Sequence, residues 1–212
     1  MLRVIPLFLI FFVCLCVVPL SVPPADAEAP YGGQLLSLEL EPGMTLVYEN
    51  LDPRLKERLE LTLLEAWEGG VTWRYVYYDD HGQLDAEGLD TQTSLDTCYS
   101  VAPWMIPEGR YDDSCDFFIS PAQFRELLSN RRTYFRVQTS LDAPPVRLEN
   151  PRQTTWSFRY EGRVVRVAAL EARTTRHETM VILYDPAHPL VLSSTDGHFR
   201  LSEIMHQNAI YD

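Results

Sequence analysis

What most constrains this chain is a series of strand-like segments running from Thr154 to Ile204, each closed by a short turn signal. Residues 154–160 place Trp156, Phe158 and Tyr160 on one face, because successive side chains of a strand point to opposite sides. Glu161-Gly162 then predicts a two-residue turn into a strand over 163–171, which makes a hairpin. A strand over 178–184 follows and is ended by Asp185-Pro186 and His188-Pro189. Residues 190–194 resume the pattern, and Asp196-Gly197 turns the chain into 198–204. Five consecutive strands joined in this way predict an antiparallel meander.

The N-terminal half repeats the pattern less regularly, with strands expected over 35–40, 44–49 and 71–78. Between Arg54 and Trp67 the Asp52-Pro53 pair suits a helix start while Leu59, Leu61 and Leu63 alternate as in a strand, and a short turn followed by a strand from about Arg58 is favoured. In the strand over 71–78 Val71, Trp73, Tyr75 and Tyr77 share a face. One helix is marked by a full set of start signals: Ser120 as N-cap, Pro121 at the first helical position and Gln123 completing a capping box. Phe124, Leu127 and Leu128 form its expected apolar face, it ends near Asn130, and a strand over 133–138 follows. The expected fold is therefore mainly β: a curved antiparallel sheet, half-barrel or open-barrel meander, with one packed α-helix.

Before this domain, Arg3 is followed by an almost wholly apolar stretch over 4–22, and Ala25-Asp26-Ala27 supplies a small-x-small cleavage pattern. The expectation is a signal peptide over 1–27 and a single exported domain over 28–212, in the periplasm or outside the cell. Membrane contact is expected only through the N-terminal segment, if it stays uncleaved. Cleavage would leave two cysteines, Cys98 and Cys115, and in an oxidising compartment an even pair predicts a disulfide. That cross-link would stabilise the fold by about 3 kcal/mol. It would also staple a segment over 79–116, expected to be a surface excursion without regular structure, in which ten acidic residues accompany only Arg110.

The 212-residue chain carries a net charge of −12, so no basic field draws it to phosphate, and nucleic acid is not an expected partner. Acidity is concentrated: residues 28–116 hold 19 acidic and 5 basic side chains, residues 117–212 hold 10 and 12. Arginine supplies all of the basic residues after position 27 except Lys56, and it is expected to pair with the acidic half.

Motifs for chemistry are missing from the sequence. The carboxylates Asp79, Asp80, Asp85, Glu87 and Asp90 lack the EF-hand spacing and read as a solvated acidic run. His81, His177, His188, His198 and His206 form no HExxH pair, there is no GxSxG elbow, and no P-loop or dinucleotide glycine pattern occurs. Asp96-Thr97-Cys98 lacks the glycine of the aspartic-protease triplet. No catalytic residue, metal or cofactor is assigned. An exported hydrolase using Asp185 with His188 or His177 is the least favoured reading.

What remains are aromatic residues. Trp73, Tyr75, Tyr77, Trp156, Phe158 and Tyr160 would line the concave face of a curved sheet and accept a hydrophobic ligand such as an acyl chain. The simpler and favoured reading of the same alternation is a core beneath the covering helix, though periodicity alone does not separate the two. Trp104, with Asp112, Asp113 and Asp116 in the acidic excursion, is the candidate surface for an envelope protein partner. An N-terminal apolar segment followed by a strand meander wrapping a helix resembles the periplasmic half-barrel envelope proteins that include the Lol-type lipoprotein carriers. The link Asp185-Pro186-Ala187-His188-Pro189-Leu190 is similar to the C-terminal part of uncharacterised bacterial exported domains. The resemblance implies a non-enzymatic binding or assembly role in the cell envelope.

Overall fold

A computed structural model describes residues 35–67, 70–98, 100–101, 109–111, 115, 117–137, 145–195 and 198–206, and twelve strands and two helices account for most of these described residues. In chain order they are β1 (Met44–Asn50), β2 (Arg58–Trp67), β3 (Gly70–Asp79), β4 (Gly82–Thr91), α1 (Gln92–Thr97), β5 (Ser100–Val101) and β6 (Gly109–Tyr111). Then come α2 (Pro121–Asn130), β7 (Arg132–Val137), β8 (Val146–Tyr160), β9 (Arg163–Thr174), β10 (Thr179–Leu183), β11 (Val191–Ser194) and β12 (Phe199–His206). The strand order is β5-β7-β8-β9-β10-β11-β12-β1-β2-β3-β4-β6. The fold is the mainly antiparallel β sheet expected from the alternation, with one helix longer than two turns.

The C-terminal meander β8 to β12 has one addition. β12 also meets β8 in parallel, through Glu203 opposite Arg159 and Ile204 opposite Tyr160, so five strands bend into a partial ring. The curved sheet expected from the sequence is thus present as a partial ring, while the alternation carried no information about which distant edges, here β12 and β8, would meet. From the other edge of β12 an arm departs, β1 to β4, each strand antiparallel to its neighbour. Gly70 lets the arm turn tightly: its φ is +140°, and a Cβ there would collide with the Asp90 carbonyl on β4.

Ring and arm share one core. Phe117 stacks on Tyr48 of β1 with ring centroids 4.3 Å apart and meets Phe199 of β12 edge-on at 5.3 Å. The Tyr48 hydroxyl donates to the Val191 carbonyl at 2.9 Å, and burial pushes its pKa well above the ordinary tyrosine value. The segment around Phe117 is laid along the start of β11, with Val191 N–H donating to the Phe117 carbonyl at 2.7 Å and Phe118 bridged to Leu190. α2 closes one side. Its capping box forms as the sequence requires, Gln123 Nε2 donates to the Tyr134 carbonyl of β7 at 2.7 Å, and Phe124 packs edge-on against Tyr184. Phe124 and Leu127 are buried, whereas Leu128 points to solvent; at 100° per residue it falls beyond the stripe that faces the sheet.

Several further expectations need correction. Residues 35–40 form no strand. Their alternation is real, with Leu38 buried and Ser37 and Glu39 exposed, yet it reports one covered face and says nothing about backbone pairing. The acidic stretch is more regular than expected. Gly82–Thr91 is a ten-residue strand along β3, and Gln92–Thr97 is a helix capped by Thr91, whose hydroxyl accepts from Ser94 N–H. Its acidic residues have individual duties: Asp79 accepts from the N–H groups of His81 and Gly82 in the turn, and Asp85 takes two hydrogen bonds from Arg74. Asp90 is buried and accepts from Trp73 Nε1 at 3.1 Å. Ion pairs join near neighbours: Arg54 with Asp52, Arg58 with Glu60 and Arg147 with Glu149 along the chain, and Arg152 with Glu171 and Arg200 with Glu49 directly opposite one another on adjacent strands. Pairs two residues apart on one strand share a face, and local geometry therefore wins over the charge imbalance between halves.

Candidate functional site

A cleft of 530 Å³ opens where arm and ring meet. Its floor is made by Leu63 of β2, Val71 and Trp73 of β3, and Phe118 from the central segment. One wall is the extended strap over 35–40, which contributes Leu38 and Leu40. The strap starts on the ring, where Leu36 N–H donates to the Arg166 carbonyl of β9, and reaches the arm, where Gly43 N–H donates to the Leu63 carbonyl of β2. The opposite wall is α1, through Gln92, Leu95 and Asp96. The link between β10 and β11 completes the rim with Asp185, Ala187 and His188.

Cys98 and Cys115 form the expected disulfide, with Cα atoms 5.8 Å apart and both residues buried. Its position matters to the cleft. Cys98 caps the end of α1 and Cys115 stands two residues before Phe117, so the bond holds the α1 wall against the Phe118 floor. A six-residue helix would fray alone, since isolated helices this short do not persist in water.

The six aromatics chosen from the sequence do not gather at one cavity. Trp73, Tyr75 and Phe158 are buried in the shared core, and Tyr77, Trp156 and Tyr160 pack partly buried against it. Trp73 reaches the floor of the cleft. Burial, with Glu57 beside it, pushes the Tyr77 hydroxyl up to about 12, and Tyr160 meets His206 edge-on. Trp156 lines a separate, more polar hollow of 360 Å³ with Arg159, Arg200, Glu49 and Glu203. Its indole N–H donates to the Leu201 carbonyl, at the place where β12 leaves β11 and turns to β8. Trp104, Asp112, Asp113 and Asp116 lie outside the described residues.

The fold brings two of the hydrolase candidates, Asp185 and His188, together and leaves His177 elsewhere. Asp185 Oδ2 lies 3.7 Å from His188 Nδ1 at the rim of the cleft, while His177 sits in the turn after β9. Asp185 Oδ1 also accepts from Ala187 N–H at 2.8 Å, a turn bond that the Asp-Pro-Ala spacing makes possible. No serine, threonine or cysteine stands among the described residues lining the cleft, and no group of three metal-ligating side chains occurs among the described residues. Nor is any described helix long and apolar enough to cross a membrane. Sequence reasoning missed the strap, α1 and Leu63 as parts of a site. The Thr91-to-Ser94 cap was the one local signal that marked α1.

No protein-family model, no curated protein and no solved structure matches this chain.

Proposed function

We propose that this chain is an exported, non-enzymatic binding module of the cell envelope that takes a hydrophobic small molecule into the cleft between ring and arm. The observation that carries the reading is the cleft itself: 530 Å³, lined mainly by apolar side chains, with Glu39, Gln92, Asp96, Asp185 and His188 as its polar ones. That size falls within the range of small-molecule sites, and burial of an apolar body there supplies about 25 cal/mol per Å² of surface removed from water. The buried disulfide supports an oxidising compartment, and its place behind two faces of the cleft supports a site worth holding rigid. The expected ligand face on β3 and β8 is thereby narrowed to Trp73 and its neighbours on the arm.

The test uses an uncharged environment-sensitive dye, N-phenyl-1-naphthylamine, with the protein purified with its native termini. Ala66 of β2 lines the cleft and is exposed, so Ala66→Trp fills the space without displacing the core. Wild-type protein is expected to bind the dye saturably, and Ala66→Trp to lose that binding while keeping its circular dichroism spectrum. Equal dye binding by both proteins would overturn the cleft as the site.

A further inference from the structure

The charged groups on the rim of the cleft are of one dominant sign. Glu39 stands on the strap, Asp96 on α1 and Asp185 on the link between β10 and β11, and all three line the same opening. Among the described lining residues there is no lysine or arginine, and His188 beside Asp185 is the one side chain there that can become cationic. The carboxylates are not consumed by neighbouring cations: neither Glu39 nor Asp96 has an ion pair among the described residues, and Asp96 accepts only from the neutral amide of Gln92 at 2.9 Å. Arginine does pair with carboxylates elsewhere, as at Arg74 with Asp85 and Arg152 with Glu171, but no arginine stands among the described residues lining the cleft.

Resting on the cleft reading above, we propose that the occupant is a cationic amphiphile: an apolar chain or ring body carrying an ammonium group, with the body on Trp73, Leu63 and Phe118 and the ammonium at the rim among Asp96, Asp185 and Glu39. The argument is charge complementarity joined to an apolar cavity. Low-dielectric walls weaken screening of the rim charges, so an ammonium there gains more than it would on an open surface, and an anionic head is repelled. A neutral head gains only the apolar burial.

Three probes of one chain length separate these contributions: decylammonium, decanol and decyl sulfate, titrated calorimetrically below their aggregation limits against the protein purified with its native termini. Decylammonium is expected to bind about tenfold more tightly than decanol, the scale of a few partly exposed ion pairs, and decyl sulfate more weakly than either. The preference should shrink as salt is raised. In Asp96→Asn/Asp185→Asn the ammonium preference should fall toward that of the alcohol. Asparagine keeps the oxygen that accepts from Gln92 and the one that accepts from Ala187 N–H, so the fold is retained. Glu49→Gln/Glu203→Gln, on the separate polar hollow, removes the same two negative charges and is expected to leave the preference unchanged, and so controls for net charge. Equal binding of decanol and decylammonium, both lost in Ala66→Trp, would overturn the cationic occupant and leave the cleft standing. Tightest binding by decyl sulfate would overturn it too. Binding of no probe, or binding that Ala66→Trp does not diminish, would remove the cleft and the occupant together.

Discussion

β11 and β4 differ in almost every respect. All four residues of β11 are buried, two of them serines, while the first four residues of β4 are exposed and carry Asp85. β11 lies inside the ring between β10 and β12, with the central segment against its start. β4 is the outer full-length strand of the arm, beyond which only the three-residue β6 is added in parallel. A strand with both edges paired and both faces covered must be apolar or satisfy its hydroxyls internally, as Ser193 does by donating to the Phe199 carbonyl at 3.1 Å. An outer strand instead needs charge, which keeps other chains from pairing with it. The acidity concentrated in the N-terminal half thus belongs in part to the way the arm ends, and the ring needs none of it.

If ring and arm are one cooperative body joined by the central aromatic cluster, the largest effect should come from that joint. Phe117→Ala removes the ring stacked on Tyr48 and edge-on to Phe199, and it should cost about 4 kcal/mol in urea unfolding with a single transition retained. Two separated transitions would show that ring and arm fold independently. Next comes the disulfide. Cys98→Ser/Cys115→Ser should lower stability by about 3 kcal/mol and loosen α1 first, seen as faster amide exchange at Leu95 and Asp96 than anywhere in β8 to β12. Uniform loosening of both regions would blur the distinction between them.

Alkaline pH should act on the arm as well. Tyr48 and Tyr77 have their pKa raised by burial, so between pH 10 and 12 the unfolded chain loses protons that the folded one keeps. Stability is therefore fully present below pH 10 and falls as pH rises toward 12; a flat profile across that window would contradict the assigned burial. Removing the α2 cap with Ser120→Ala should cost about 1 kcal/mol, read as a lower thermal midpoint. The smallest effect is expected on the outer arm, where Arg74→Ala breaks the exposed pair with Asp85 and should change stability by no more than about 0.5 kcal/mol.

Legibility followed the range of the interaction. α2 was readable to the residue because capping is decided within four positions; for β2 the alternation of Leu59, Leu61 and Leu63 competed with a helix start at Asp52-Pro53, and the strand over Arg58–Trp67 is the favoured of those two readings. The β8–β9 turn at Glu161-Gly162 was equally local: both residues take positive φ, 51° and 73°. β4 was missed because its exposed half carries polar and acidic residues that mimic a loop. The cleft was missed more completely, since its residues come from the strap, β2, β3, α1, the central segment and the link before β11, which are scattered from Leu38 to Pro189.

The sequence by itself determined the C-terminal run of strands, α2 with its N-terminal cap, and the availability of a cysteine pair, all of which depend on neighbours along the chain. Tertiary structure alone decided that β12 meets β8 to bend the ring, that Phe117 joins ring to arm, and that Leu38, Trp73, Asp96 and Asp185 face one opening. Those outcomes rest on which distant faces can be buried together, and a one-dimensional pattern of apolar and polar residues says that a face will be covered without saying by what.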